Sequence, residues 1–264
     1  MNRFRAQVCR WIKNNSMFIL VGCEESQAVC IAMREAGHIA YSCDYKPCSG
    51  GYPEWHLQMD VFKAIKAGGL TTQSGYTVFV DKWDMGIFFP DCTFLTISAE
   101  WCYKDQPPLK SGKLVGAARR EAREQALQFV CDLMNCGIPK ISVENPVGVI
   151  GTRVFWYIGG ENGSARWAVF PRSLSNGGRK PNQIIQPYQF GDDASKSTCL
   201  WLSGLPKLQS TGYFPPRIVD GKKRWGNQTD GGQNKLPPST NRAELRSKTY
   251  PGIAKAMAEQ WGSL

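Results

Sequence analysis

The stretch MFILVG–CEESQAVCIAMREAG–HIAYSCD, residues 17–44, decides the fold. MFILVG (17–22) is an apolar run of strand length, and Glu25 to Ala36 has the apolar periodicity of a helix that Gly37 ends. HIAYSCD (38–44) is a second strand that finishes on an acid. A strand, a helix and a strand of these lengths predict a parallel β-α-β unit with a right-handed crossover.

The same alternation continues toward residue 150. We predict further helices and strands, in chain order, at Asp60 to Ala67 (helix), 76–80 and 84–89 (strands or a hairpin), Ala117 to Cys136 (helix) and 140–145 (strand). This rhythm predicts an α/β fold, with a doubly wound, Rossmann-like parallel sheet over residues 1–150. In such sheets the functional loops follow the carboxyl ends of the strands.

The second half of the chain has a different composition. Residues 151–248 are rich in Gly, Pro, Asn and Ser, which predicts a loop-rich region with short strands that contacts DNA. TYPGIAKAMAEQW (249–261) is typical of a final helix with Pro251 in its first turn. We expect residues 249–264 to pack back on the first region.

Composition narrows the class of protein. Of 264 residues, 42% are hydrophobic and 20% are charged, which excludes a fibrous, coiled-coil or wholly disordered chain. No apolar run reaches the roughly 18 residues of a membrane-spanning helix, and the basic N-terminus lacks the features of a signal peptide. Ten cysteines without a CxxC pair, beside two histidines, predict reduced thiols in a cytoplasmic protein and no metal site.

The balance of 32 Lys and Arg against 22 Asp and Glu, a net charge of +10, favours a polyanionic partner such as DNA, although a solubilising surface is the alternative. Two basic groups are candidates for DNA contact. Arg119, Arg120 and Arg123 fit a phosphate-tracking surface or, equally, a solvated helix face. The second group lies in a Gly-rich loop, where a tryptophan could stack on a base: Lys222, Lys223, Arg224 and Trp225.

Acidic residues follow the first strands. Cys23-Glu24-Glu25-Ser26 marks a strand running into a helix N-terminus, where a nucleotide-like ligand could bind, or where the acids only stabilise the first turn. Asp44 could accept hydrogen bonds from a ribose diol or could be a turn residue. Asp60 could accept from an adenine amino group or could cap a helix.

Two later strand ends carry groups suited to covalent chemistry. Pro90-Asp91-Cys92-Thr93 places a thiol just past a strand, where it could act as a nucleophile or be a buried inert cysteine. Glu144 ends the next strand, where it could protonate a base ring or serve as a strand-end cap.

The order of these pieces resembles the cytosine-5 DNA methyltransferase family and, within it, short phage and prophage proteins. The resembling stretches cover nearly the whole chain: VGCEESQAV, GHIAYSCDYKPCSGGYPEWH, FFPDCTFLT, ISVENPVG, RKPNQIIQPYQFG, STCLWLSGLPKL and RSKTYPGIAKAMAEQWG. The resemblance implies a Rossmann-like domain that binds S-adenosylmethionine and methylates DNA.

The resemblance also implies roles for single residues. Asp44 would bind the ribose of the cofactor and Asp60 its adenine. Cys92 would be the nucleophile and Glu144 the acid, while Asn145 would fix the loop. The remaining cofactor contacts would come from Gly22, Cys23, Glu24, Ser26 and Pro90.

Departures from the family pattern keep two other functions open. Asp91 stands where the family has proline, and its charge should raise the pKa of Cys92. Cys23-Glu24-Glu25 replaces a glycine-rich loop. One alternative is therefore a catalytically impaired DNA-binding or decoy protein. Another is an amino-group methyltransferase using Asn145-Pro146, which is disfavoured because the next residues are not proline and an aromatic.

Overall fold

The structure is a computed structural model that describes residues 16–158, 165–169, 180–239 and 242–264. Its strands are β1 (Phe18–Gly22), β2 (Ile39–Asp44), β3 (His56–Gln58), β4 (Gly68–Thr71), β5 (Thr77–Val80), β6 (Met85–Phe88), β7 (Lys140–Pro146), β8 (Val154–Ile158), β9 (Ala165–Val169), β10 (Gln183–Ile185), β11 (Thr198–Ser203), β12 (Arg217–Val219) and β13 (Lys222–Arg224). Its helices are α1 (Ala28–Glu35), α2 (Val61–Ile65), α3 (Gly116–Met134), α4 (Ile150–Arg153), α5 (Arg242–Ser247) and α6 (Pro251–Trp261).

Seven strands form the central sheet, in the order β10-β11-β7-β6-β1-β2-β3. The five strands β7, β6, β1, β2 and β3 run parallel to one another. Strand β11 runs antiparallel to β7, and β10 runs antiparallel to β11. The protein is thus an α/β fold with a mostly parallel sheet, as the sequence predicts. The strand order reverses at β1, between β2 and β6, and ligands of such sheets bind at this switch point.

Apolar side chains cover both faces of the sheet. Alternate residues of β1 point to opposite faces, so that Ile19 packs with α1 and α6 while Leu20 packs with the side of α2 and α3. On the first side Trp261 of α6 is fully buried, and on the second Leu127 of α3 is fully buried. Burial on both faces explains why the strand sequences are continuous apolar runs rather than alternating ones.

The predicted helices and strands are present, but several begin or end at other residues than predicted. Helix α1 begins at Ala28 rather than Glu25, because the Glu24 carboxylate accepts the first N–H groups of the helix. The helix predicted over Asp60 to Ala67 spans Val61–Ile65, and Gly68 and Gly69 begin β4, which forms a hairpin with β5. Pro251 occupies the first turn of α6, as expected.

The region predicted to be loop-rich contributes to the central sheet. Strands β10 and β11 lie within residues 151–248 and extend the sheet beyond β7. A boundary at residue 150 therefore divides this sheet rather than separating two units. The rest of that region, where described, includes the ribbons β8–β9 and β12–β13. Across the described ranges, no helix combines the length and apolarity needed to span a bilayer.

Candidate active site at the carboxyl edge of the sheet

The parallel strands bring several predicted site residues to one edge. Cys23, Asp44, Asp60 and Cys92 lie at or just beyond the carboxyl ends of β1, β2, β3 and β6. Because β11 runs in the opposite direction, its amino end reaches the same edge and adds Lys196, a residue that the sequence reasoning missed. No local signal reveals that strand's direction.

Three carboxylates act on the Cys23 thiol by their charge. Burial, together with the charges of Asp44, Asp60 and Asp91, raises the pKa of this thiol. These acids come from three different loops at the carboxyl edge of the sheet. The Cys23 backbone has φ 59°, a left-handed conformation that favours glycine, which agrees with its place in a loop expected to be glycine-rich.

The two acids of the first loop have structural partners. Glu24 is buried, and its two carboxylate oxygens accept the N–H groups of Val29 at 2.7 Å and Cys30 at 3.3 Å. Its predicted role in lining the cofactor site is therefore corrected: the carboxylate caps α1. Glu25, also buried, accepts a hydrogen bond from the Ser49 hydroxyl.

Gly22 and Ser26, which are both predicted to contact the cofactor, have different surroundings. A Cβ on Gly22 would lie 2.6 Å from the Phe88 ring and 2.7 Å from Val61, so a side chain there would collide with the core. Ser26 is half-buried, and its carbonyl lies against Gly50. Gly22 thus allows β1, β6 and α2 to approach closely.

Stability should fall with rising pH because of Glu24. Burial raises the pKa of its carboxyl from 4.5 to about 7, so the folded state holds a proton that the unfolded state loses between these values. We expect this group to lower the free energy of unfolding by up to about 3 kcal/mol between pH 5 and pH 8. Urea unfolding of the wild type and Glu24→Gln at both pH values measures this. Equal pH dependence in the two proteins would contradict the prediction.

Asp60 and Asp44 also have local partners. The Asp60 carboxylate accepts the N–H groups of Phe62 and Lys63 as the N-cap of α2, and it accepts the hydroxyl of Tyr45. One Asp44 oxygen accepts the N–H of Lys46 at 3.0 Å. Tyr45, which the sequence reasoning did not single out, is 68% exposed and places an aromatic ring beside Asp60.

Hydrogen bonds hold the backbone before and after Cys92 in place. The buried Asn145 amide donates to the carbonyl of Pro90 at 2.9 Å. One Asp91 oxygen accepts both the N–H and the hydroxyl of Thr93, at 2.8 and 2.7 Å. Asp91 therefore fixes the turn that starts at Cys92 by hydrogen bonds, where proline would fix it through its ring.

The turn after Cys92 packs against the loop after β7. Val149 donates to the carbonyl of Leu95 at 2.8 Å. A Cβ on Gly148 would lie 2.0 Å from that same carbonyl oxygen, so only glycine allows this approach. The loops of β6 and β7 thus form one wall of the site.

Nearby charges shift the pKa of the Cys92 thiol in opposite directions. Burial raises the pKa of the Cys92 thiol, Asp91 and Glu144 raise it further, and Lys196 lowers it. Burial also raises the pKa of Glu144, against the opposing effects of the Lys196 ammonium and a hydrogen bond from Thr198. A carboxyl group with a raised pKa keeps more of its proton near neutral pH, and can then donate a hydrogen bond.

Glu144 and Lys196 face a cavity between the sheet and the start of α6. It is small, with a volume of about 10 Å³, which is room for about one water molecule. It has polar and aromatic walls, formed by Phe89, Glu144, Lys196, Thr198, Thr249, Tyr250, Ile253 and Met257. A carboxyl group and an ammonium group therefore line one small cavity.

Two of the three arginines of α3 do not face solvent, which corrects their predicted DNA contact. Arg119 and Arg123 are 6% and 5% exposed. Arg123 donates to the carbonyls of Phe94 and Thr96 and to the Glu100 carboxylate, at 2.8, 3.2 and 2.7 Å. These arginines hold the segment that follows Cys92. Arg120 is exposed and pairs with Asp105.

The predicted base-stacking residue is also buried. Trp225 is 7% exposed and stacks on Tyr188 with a centroid distance of 4.3 Å, so its ring is not available to a base. Lys222 and Lys223 of β13 are exposed, and Arg224 donates to the carbonyl of Asp230. The exposed positive charges of β13 are thus those of Lys222 and Lys223.

Comparisons with known proteins assign no family. No protein-family model matches the chain, and no curated protein matches it significantly. Within the part of the chain that the structure describes, no group of three or more His, Cys, Asp and Glu side chains could hold a metal ion.

Proposed function

We propose that the protein transfers a methyl group from S-adenosylmethionine to carbon 5 of cytosine in DNA. The observation that carries the proposal is the convergence of Cys92, Glu144 and Lys196 at one edge of the sheet. Asp44, Asp60 and Asp91, whose charges raise the pKa of the Cys23 thiol, lie at the same edge, where β2, β3 and β6 end. The proposed architecture is the Rossmann-like methyltransferase sheet that the family resemblance implies.

The three acids near Cys23 suit a cationic donor. Asp44, Asp60 and Asp91 converge on Cys23, and S-adenosylmethionine carries a sulfonium and an ammonium charge beside one carboxylate. A dinucleotide pyrophosphate would instead need a glycine-rich loop of exposed N–H groups, and acids would repel it. Asp44 would accept the ribose hydroxyls. The Asp60 carboxylate already accepts the capping bonds of α2. The exposed ring of Tyr45 would therefore contact the adenine together with this carboxylate.

The residues of the wall supply the covalent chemistry. When bound, S-adenosylmethionine would supply the methyl group. Cys92, as a thiolate, would add to C6 of a flipped cytosine and make C5 electron-rich. Glu144, whose pKa burial raises, would donate from its protonated form to N3 and stabilise the charge that develops on the ring. After transfer, loss of the C5 proton would expel the thiolate and restore the ring. Asn145 would act through Pro90 as a positioning residue.

One observation favours a second function, a methyltransferase-like DNA-binding protein with little turnover. Burial and the Asp91 and Glu144 carboxyl groups all raise the pKa of Cys92, which lowers the fraction of reactive thiolate. Base modification that depends on Cys92 would contradict this second function. In both cases the exposed Lys222 and Lys223, together with the net charge of +10, support DNA as the partner.

Titration calorimetry with S-adenosylmethionine tests the cofactor site. We expect micromolar binding by the wild type and at least about tenfold weaker binding by Asp44→Ala, because two hydrogen bonds to the ribose are lost. Asp81→Ala is the matched control, since this exposed acid precedes the amino end of β6 at the opposite edge of the sheet. Absence of binding by the wild type would overturn the proposed donor.

A further inference from the structure

His56 is a fully buried histidine in β3, next to the end of the strand that carries Asp44. Its backbone is paired with that of Ser42 in β2. The ring nitrogen Nδ1 lies 2.8 Å from the Ser42 hydroxyl, and Nε2 lies 2.9 Å from the carbonyl oxygen of Lys46. Both ring nitrogens therefore have a partner, one in the sheet and one in the segment that follows β2.

These partners fix the position of the proton on the ring. A carbonyl oxygen can only accept, so Nε2 carries the hydrogen and donates it to Lys46. Nδ1 then accepts from the Ser42 hydroxyl, whose other acceptor, the carbonyl of Trp55, is more distant at 3.3 Å. Burial lowers the pKa of His56, which keeps the ring in this neutral form near pH 7. The imidazole thus directs its one N–H at the Lys46 carbonyl.

A second hydrogen bond connects Lys46 to Asp44. The N–H of Lys46 donates to one oxygen of the Asp44 carboxylate at 3.0 Å. Lys46 is therefore bonded at both of its backbone groups, through the carbonyl to His56 and through the N–H to Asp44. A half-buried carboxylate without such a bond would move among several rotamers. The bond orients the carboxylate and leaves its remaining acceptor positions for a ligand.

The segment between β2 and β3 is attached at another point as well. The N–H of Cys48 donates to the side-chain oxygen of Gln73 at 2.8 Å. This bond holds a different residue from the one that donates to Asp44, and Gln73 itself is exposed. Its removal therefore loosens the same segment without acting on the residue that orients Asp44.

We propose that His56 is a positioning residue for the methyl donor: by holding the Lys46 carbonyl, it fixes the Asp44 carboxylate where the ribose hydroxyls would bind. This inference rests on the proposed function, since it takes Asp44 as the acceptor for the ribose. It gives a role to the last residue of GHIAYSCDYKPCSGGYPEWH, a stretch whose only predicted site residue is Asp44. A purely structural His56 would only fill the core and pair with Ser42.

Two substitutions separate the two contacts of the ring. In His56→Gln, the side-chain amide nitrogen comes close to the position of Nε2 and can still donate to the Lys46 carbonyl. In His56→Asn, the shorter side chain brings its amide close to the position of Nδ1, so that the contact with Ser42 can remain while the donor to Lys46 is lost. Both variants lose the packing of the ring, so the difference between them reports the bond to Lys46.

Amide hydrogen exchange, followed by NMR without any ligand, tests the effect on the Asp44 carboxylate. We expect the Lys46 N–H to exchange about tenfold faster in His56→Asn than in the wild type, because its bond to Asp44 opens more often. In His56→Gln the exchange rate should stay close to that of the wild type. Equal rates in the wild type and His56→Asn would overturn the inference.

Titration calorimetry with S-adenosylmethionine tests the effect on binding. We expect about fivefold weaker binding by His56→Asn, and binding within about twofold of the wild type by His56→Gln. Gln73→Met is the matched control, since it frees the Cys48 N–H of the same segment and should change neither the affinity nor the exchange of Lys46.

Two further results would contradict the role of His56. Equal weakening in His56→Gln and His56→Asn would show that lost packing is responsible, and faster Lys46 exchange with unchanged affinity would show that the fixed carboxylate does not matter for binding. His56→Leu gives the same comparison with His56→Gln should the asparagine variant unfold. Absence of binding by the wild type would overturn the proposed donor, whereas the exchange comparison contains no ligand and would still decide whether His56 fixes Asp44.

Discussion

Replacing Cys92 with alanine is expected to reduce methyl transfer to DNA by about a thousandfold or more, because the covalent route to an electron-rich C5 is lost. Binding of S-adenosylmethionine should remain close to that of the wild type, since Asp44, Asp60 and Asp91 are retained. Transfer of a labelled methyl group to DNA measures the first quantity, and calorimetry measures the second. Cys92 is only partly buried, so the substitution removes little core packing.

Two comparisons make this result specific. Cys48→Ala removes another partly exposed thiol and should leave transfer unchanged. Cys92→Ser keeps the size of the side chain but replaces the thiol with a poor nucleophile. Full transfer by Cys92→Ser would show that the mechanism is wrong.

Replacing Arg123 with methionine should cost about 3 to 5 kcal/mol of unfolding free energy. The guanidinium group donates to two carbonyls and to Glu100, and it lies 3.5 Å from the centre of the Tyr103 ring. Methionine fills the space but leaves the carbonyls of Phe94 and Thr96 without this donor. Because these carbonyls belong to the segment after Cys92, methyl transfer should fall as well. Urea unfolding measures the loss of stability.

Arg120→Met is the matched control for Arg123. This arginine lies on the same helix and its ion pair with Asp105 is exposed, so its loss should change stability by less than about 1 kcal/mol. If Arg123→Met folded with wild-type stability and instead weakened DNA binding, Arg123 would be a DNA-contacting residue after all.

Much of the fold is readable in local sequence. The runs at 17–22 and 140–145 are continuous and apolar because both faces of the sheet are covered, and that property is visible without a structure. The first turn of α6 is equally visible through Pro251. The placement of Cys92 beyond β6 follows from the same reasoning, because strands that run parallel all end at one edge.

Other features depend on contacts that local sequence does not encode. Arg119 and Arg123 are charged residues of the kind that usually form a solvated helix face. They are nevertheless buried, because the Tyr103 ring and the segment after Cys92 cover them. Glu24 and Glu25 are adjacent, and only the start of α1 decides that Glu24 is the cap. Trp225 lies in a Gly-rich sequence typical of a loop, but Tyr188 covers its ring.

Local sequence was therefore sufficient for the α/β class and for the edge at which chemistry could occur, because helix and strand periodicity and strand ends are short-range properties. The placement of Cys92, Glu144 and Lys196 at one edge of the sheet was decided by the tertiary structure alone. These three residues are about fifty positions apart along the chain. Their proximity depends on the order of β6, β7 and β11 and on the reversed direction of β11, which is set by packing across the whole sheet.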